Sequence, residues 1–60
     1  MTEVYVRWDE LGRGQTILCP RDGIAERVIS TQMWRDGRIT VRTSRHDHFR
    51  PREELVRACR

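Results

Sequence analysis

Trp34-Arg35-Asp36-Gly37-Arg38-Ile39-Thr40-Val41-Arg42 is the stretch that decides the fold class. Asp-Gly stands between two runs of β-type residues, the strongest short-range mark of a hairpin, because a type I′ turn takes positive φ at both central positions. After the turn, Ile39, Val41 and Thr43 share one parity, and Arg38, Thr40 and Arg42 share the other. Side chains alternate across a strand. The first set therefore belongs to a core and the second to a solvated ladder.

Reading outward toward the amino terminus, Ile24 to Met33 has room for two short strands or one bent strand. Its alternation breaks at Val28-Ile29, where two apolar residues adjoin. A bulge or bend that swaps faces accounts for that break. A helix over Ala25–Met33 is the competing reading, weakened by the β-branched Val28, Ile29 and Thr31. Arg21-Asp22-Gly23 makes a turn with Gly23 at positive φ. Pro20, which has no N–H for a ladder, ends a strand over about Gln15 to Cys19. Asp9 to Gly14 is a polar, glycine-marked loop, and Val4, Val6 and Trp8 alternate as one face of a first strand over residues 4–8.

Toward the carboxy terminus, Ser44 to His48 is polar and reads as a loop, and Phe49 returns to the core. Pro51-Arg52-Glu53-Glu54 has the composition of a helix start. Either one tight helical turn leads into a strand over Leu55 to Cys59, or a helix runs to the end. The expected architecture is all-β: a small five-stranded bent barrel with one short helical turn near the C-terminus, in a single domain over residues 1–60. No repeat, low-complexity tract or linker divides it.

Four segments carry a resemblance over roughly residues 12–58: Gly14-Gln15-Thr16-Ile17, Gly23-Ile24-Ala25-Glu26-Arg27-Val28-Ile29, Asp36-Gly37-Arg38-Ile39-Thr40-Val41 and Pro51-Arg52-Glu53-Glu54-Leu55-Val56. Together they resemble SH3-like small barrels of the KOW, Tudor and type II dihydrofolate reductase kind. The reductases build their site from a Val-Gln-Ile-Tyr stretch, where this chain reads Arg45-His46-Asp47-His48-Phe49, which argues against reductase activity. A Tudor-type cage needs several converging aromatics. Only Tyr5, Trp8, Trp34 and Phe49 are available, and some of these must fill the core. Trp8 and Trp34 fill or cap the barrel; an exposed one marks an interface. Such a fold hosts many functions, so the site must decide.

Composition narrows the functional classes. In 60 residues, 37% are hydrophobic and 35% charged, against a usual charged share of about 25%. The core is therefore marginal, and a deep pocket within one copy is not expected. All 12 basic residues are arginine, and the net charge is +3. This matches coding bias in a GC-rich genome. It also suits phosphate and carboxylate recognition, for which a guanidinium is well shaped. Residues 1–34 hold four Arg against five acids, and residues 35–60 hold eight against four. The basic second half favours a polyanion or an acidic protein surface.

The densest constellation is Arg42-Thr43-Ser44-Arg45-His46-Asp47-His48-Phe49-Arg50. With Arg35 and Arg38 before it and Trp34 as a stacking surface, it forms the candidate nucleic-acid site: Trp34, Arg35, Arg38, Arg42, Arg45, His46, His48 and Arg50. The bland reading of the same residues is a solvated, charge-rich loop. The leading expectation is a small accessory protein, of a bacterial, phage or plasmid system, that contacts DNA or RNA phosphates. The alternative is a protein-interaction module or homodimer using an exposed sheet edge or aromatic groove.

An enzyme is not expected: no nucleophile–base arrangement, phosphate loop or dinucleotide fingerprint is present, and Glu53-Glu54 diverge in a turn. No cofactor is expected. His46 and His48 with Cys19 or Cys59 contain zinc-type ligands. The Cys-x-x-Cys spacing is missing, however, and Arg45 and Arg50 would repel a cation, so no metal is assigned. The amino-terminal residues lack the regions of a signal peptide, and no apolar run is long enough to span a membrane. Cys19 and Cys59 are expected as free thiols in a cytoplasmic protein.

Overall fold

Alternating apolar residues become ladders in the computed structural model, which describes residues 2–60; Met1, included in the single-domain reading, lies outside them. Six strands form: β1 (Glu3–Arg7), β2 (Thr16–Leu18), β3 (Ala25–Met33), β4 (Arg38–Thr43), β5 (Asp47–Pro51) and β6 (Leu55–Cys59). Every pairing is antiparallel. The order across the sheet is β1-β6-β2-β3-β4-β5. The ladder is open, with β1 and β5 at its ends.

Val6, Trp8, Leu11, Ile17, Val28, Ile39, Val41, Val56 and Ala58 make the core. The expected division of β4 holds: Ile39, Val41 and Thr43 are buried, and Arg38 and Arg42 are exposed. The break at Val28-Ile29 is a bulge. Val28 pairs with Thr43 and Ser30 with Arg42, which leaves Ile29 between registers and turned toward solvent. Gly23 takes φ 72° in the turn after Pro20.

Four expectations are corrected. The strands among the described residues number six, because Asp47–Pro51 continues the meander where a polar loop was expected to run through His48. Pro51 fits there because β5 is an edge strand and need not donate outward. The one helical turn among the described residues is the 3₁₀ turn at Trp8–Glu10. Arg52-Glu53 makes a plain turn instead, and the backbone N–H groups of Trp8 and Asp9 bond the carbonyls of Glu54 and Arg52 at 3.0 Å each.

The hairpin is not a two-residue type I′ turn, because no described residue other than glycine has positive φ. The Gly37 N–H bonds the Trp34 carbonyl, and the Trp34 N–H bonds the Arg38 carbonyl. Gly37 alone is left-handed, at φ 84°, as in a three-residue loop closed by a glycine bulge. Asp36 stays out of that region and accepts the Arg38 N–H on Oδ1 at 3.1 Å.

The fourth correction concerns Phe49 and His48. Thr40 pairs with Phe49 and Val41 with His48. Val41 faces the core, so His48 does too, and Phe49 goes to the outer face, where it is 53% exposed.

Candidate nucleic-acid interface

The outer face of β3-β4-β5 places two rings around Thr40. The Trp34 indole donates from Nε1 to Thr40 Oγ1 at 2.8 Å, which fixes the ring against the strand while leaving it 49% exposed. Phe49 lies across the ladder from Thr40. The Arg38 guanidinium carbon stands 5.3 Å from the centroid of the Phe49 ring, within cation–π range. Trp34, Arg35, Asp36 and Phe49 line a shallow cleft of about 600 Å³. Arg42, two positions beyond Thr40 on the same face, pairs with Asp47 at 3.2 Å. Arg38 has Asp36 as a distant partner at 3.9 Å. No ion pair engages Arg35 among the described residues.

The inner face of the same strands carries a buried polar cluster. Glu26 shares the parity of Val28 on β3, so its carboxylate points into the core, where its side chain is fully buried. Oε1 accepts the Thr43 hydroxyl at 2.6 Å and contacts His48 Nε2 at 2.7 Å. Oε2 receives Arg45 Nη1 at 3.3 Å. Arg45 also reaches Asp22 from Nη2 at 3.0 Å. Trp8 lies against the His48 ring with centroids 5.3 Å apart and donates its own Nε1 to Glu54 at 3.1 Å.

These contacts set the charges. Burial alone would push the Glu26 carboxyl up, but hydrogen bonds from Thr43, His48 and Cys19 outweigh it and hold the group below its ordinary value. The Arg45 hydrogen bond, followed by the Ile24 N–H, holds the Asp22 carboxyl well below the usual carboxylate range. Asp22 in turn raises Arg45.

The eight residues singled out in the sequence therefore fall into two groups. Trp34, Arg35, Arg38 and Arg42 share the outer face. Arg45 folds back onto Asp22 and Glu26, His48 is buried, and His46 and Arg50 border a separate pocket of about 490 Å³ with Cys19, Arg21, Asp47, His48 and Phe49. Arg50 also contacts Glu54 at 3.5 Å. Sequence reasoning missed two residues, Phe49 on the outer face and Glu26 beneath the inner pocket; Cys19, named there as a zinc-type ligand beside His46 and His48, lines that pocket. The parity of Glu26 with Val28 was the available signal for the carboxylate.

Both cysteines are free, Cys19 buried and Cys59 half-buried. No helix among the described residues is long and apolar enough to cross a membrane. Comparison with protein-family models, curated proteins and solved structures gives no match.

Proposed function

We propose that the chain binds single-stranded nucleic acid on the outer face of β3-β4-β5. The observation that carries this reading is the pair Trp34 and Phe49, both about half exposed, beside the guanidinium groups of Arg35 and Arg38. Single-strand binders combine sequence-tolerant stacking platforms with basic groups that track the backbone. A duplex hides its base faces, so unpaired strands are the favoured ligand. Trp34 and Phe49 stack on successive bases, and Arg35 and Arg38 contact the flanking phosphates. Arg42 joins them when Asp47 releases it. Arg45 and His48 take no part, because Glu26 holds both on the other side of the sheet.

Titration with a short single-stranded oligonucleotide at rising salt tests this. Trp34 is the exposed indole and Trp8 the buried one, so quenching of the solvent-exposed emission reports stacking. Binding should weaken with salt, as phosphate contacts require, and duplex of equal length should bind less well. No binding at low salt, or binding indifferent to salt, removes the reading.

A second reading has its own observation. Tyr5 and Leu55 lie on the opposite half of the sheet, 69% and 59% exposed, on and beside the free edge of β1. An apolar surface along a free edge suits pairing with another copy. A solution mass of one chain at high concentration rules that out.

A further inference from the structure

Three donor atoms of different chemistry converge beneath the pocket that His46 borders. Cys19 Sγ, a Glu26 carboxylate oxygen and a His48 ring nitrogen lie within 4.8 Å of one another, and all three residues are buried. Cys19 follows β2, Glu26 stands on β3 and His48 on β5, so folding alone assembles the set.

We propose that Cys19, Glu26 and His48 bind a divalent transition-metal ion of the zinc class, with the fourth position open to the pocket. Thiolate, imidazole and carboxylate are the three ligand types zinc takes, and a site with three protein ligands leaves one position for water or another group. His46 lines the same pocket, its ring centroid 6.1 Å from that of His48, and stands next to that open position.

Two of the three arginines around the site are paired with carboxylates, while Arg21, which lines the pocket, has no ion pair among the described residues. Arg45 is spent on Asp22 at 3.0 Å and Glu26 at 3.3 Å, and Arg50 contacts Glu54. With the metal bound, the Cys19 thiolate and Glu26 carboxylate match its two positive charges, and Arg45 matches Asp22. The surrounding hydrogen bonds are of the kind that orient ligands from outside the coordination shell. Thr43 and Arg45 grip the Glu26 carboxylate, and Trp8 packs on the His48 ring. Glu26 Oε1 and His48 Nε2 lie 2.7 Å apart, and an ion seated between them displaces that contact as the thiol proton leaves Cys19.

The test is titration of chelator-treated, reduced protein with cobalt(II), followed by zinc. The expected result is one equivalent of cobalt bound with a thiolate-to-metal charge-transfer band, displacement of that band by zinc, and a higher thermal midpoint with zinc than with chelator. Cys19→Ser should weaken binding by more than the ~100-fold upper range for loss of an outer-shell partner, while Cys59→Ser binds as the parent does. The unaltered protein carries the decisive arm, so a variant that fails to fold leaves the test intact. No charge-transfer band in the parent protein overturns the proposal. So does a band that survives Cys19→Ser and disappears in Cys59→Ser.

Discussion

His48 and Phe49 are neighbours in sequence and opposites in setting. His48 is 8% exposed and held by a carboxylate; Phe49 is 53% exposed with an arginine over its ring. A sheet built only for stability would reverse them. Transferring a polar group to an apolar interior costs free energy unless its bonds are made. An exposed ring leaves its burial energy unused. The two sides of one strand thus show different economies. The inner face has every buried side-chain polar atom bonded among the described residues and fixes a single arrangement. The outer face leaves apolar surface and guanidinium groups available to a ligand.

The strongest way to break this contrast is Glu26→Ala. The substitution leaves Thr43, His48 and Arg45 without their common partner. Arg45, 32% exposed, keeps Asp22, and leaving the buried Thr43 and His48 groups unsatisfied costs about 1–3 kcal/mol each. Against the roughly 0.05–0.15 kcal/mol per residue typical of native proteins, that removes most of the stability of so short a chain. Urea unfolding followed by circular dichroism should show a largely unfolded protein. Glu26→Gln, which keeps the carbonyl acceptor, should cost less. A Glu26→Ala protein as stable as the parent would show that the cluster is incidental to the fold.

Phe49→Ala should do the converse. Surface substitutions usually change stability little, so the unfolding free energy should change by less than about 1 kcal/mol. Base–aromatic stacking is worth about 1–3 kcal/mol per base, so single-strand affinity should fall roughly 5- to 150-fold. Fluorescence anisotropy with a labelled oligonucleotide measures it. Loss of stability with unchanged binding would assign Phe49 to packing and withdraw it from the interface.

The presentation of Trp34 rests on the hairpin. Gly37 is at φ 84° with open space around its Cβ position, so Gly37→Ala meets backbone strain without a clash. The expected cost is about 1 kcal/mol, with the Trp34–Thr40 hydrogen bond weakened as the turn adjusts. A thermal midpoint unchanged by Gly37→Ala would mean that the left-handed position is not needed.

Much of the fold was legible in local pattern, because β4 and the Gly23 turn depend on alternation and backbone freedom alone. The Val28-Ile29 break announced a bulge for the same reason. What escaped was the parity of β5. Ser44 to His48 is polar throughout, so its composition indicates a loop, and only pairing with Val41 shows that His48 faces inward. Glu26 was open to the alternation argument, but its burial depends on Thr43, Arg45 and His48 arriving from residues far along the chain. The helical turn was misplaced for a related reason. Pro51-Arg52-Glu53-Glu54 has helix-start residues, yet the backbone there accepts from Trp8 and Asp9, which a continuing helix would not leave free. The charge excess in the second half was visible. That Arg45 is bound internally while Arg35 is free of ion pairs among the described residues was not, since that is decided by tertiary contacts.

The mildest test titrates the rim of the inner cluster and leaves the outer face as its control. Asp22 is held below its ordinary value, chiefly by the Arg45 hydrogen bond. A carboxyl with a depressed folded pKa binds fewer protons folded than unfolded, so its stabilisation is complete above the unfolded value of about 3.9. It is lost as pH falls from there through the folded value. Unfolding midpoints measured in chelator should therefore drop between about pH 5 and pH 2. Asp22→Asn should flatten part of that slope, and only part, because Asp22 and Arg45 are 39% and 32% exposed and solvent screens such pairs. Phe49→Ala should leave the slope as it is in the parent. If Phe49→Ala flattens the acid profile as much as Asp22→Asn does, the two faces are coupled, and the division between a fixed interior and an available surface does not hold.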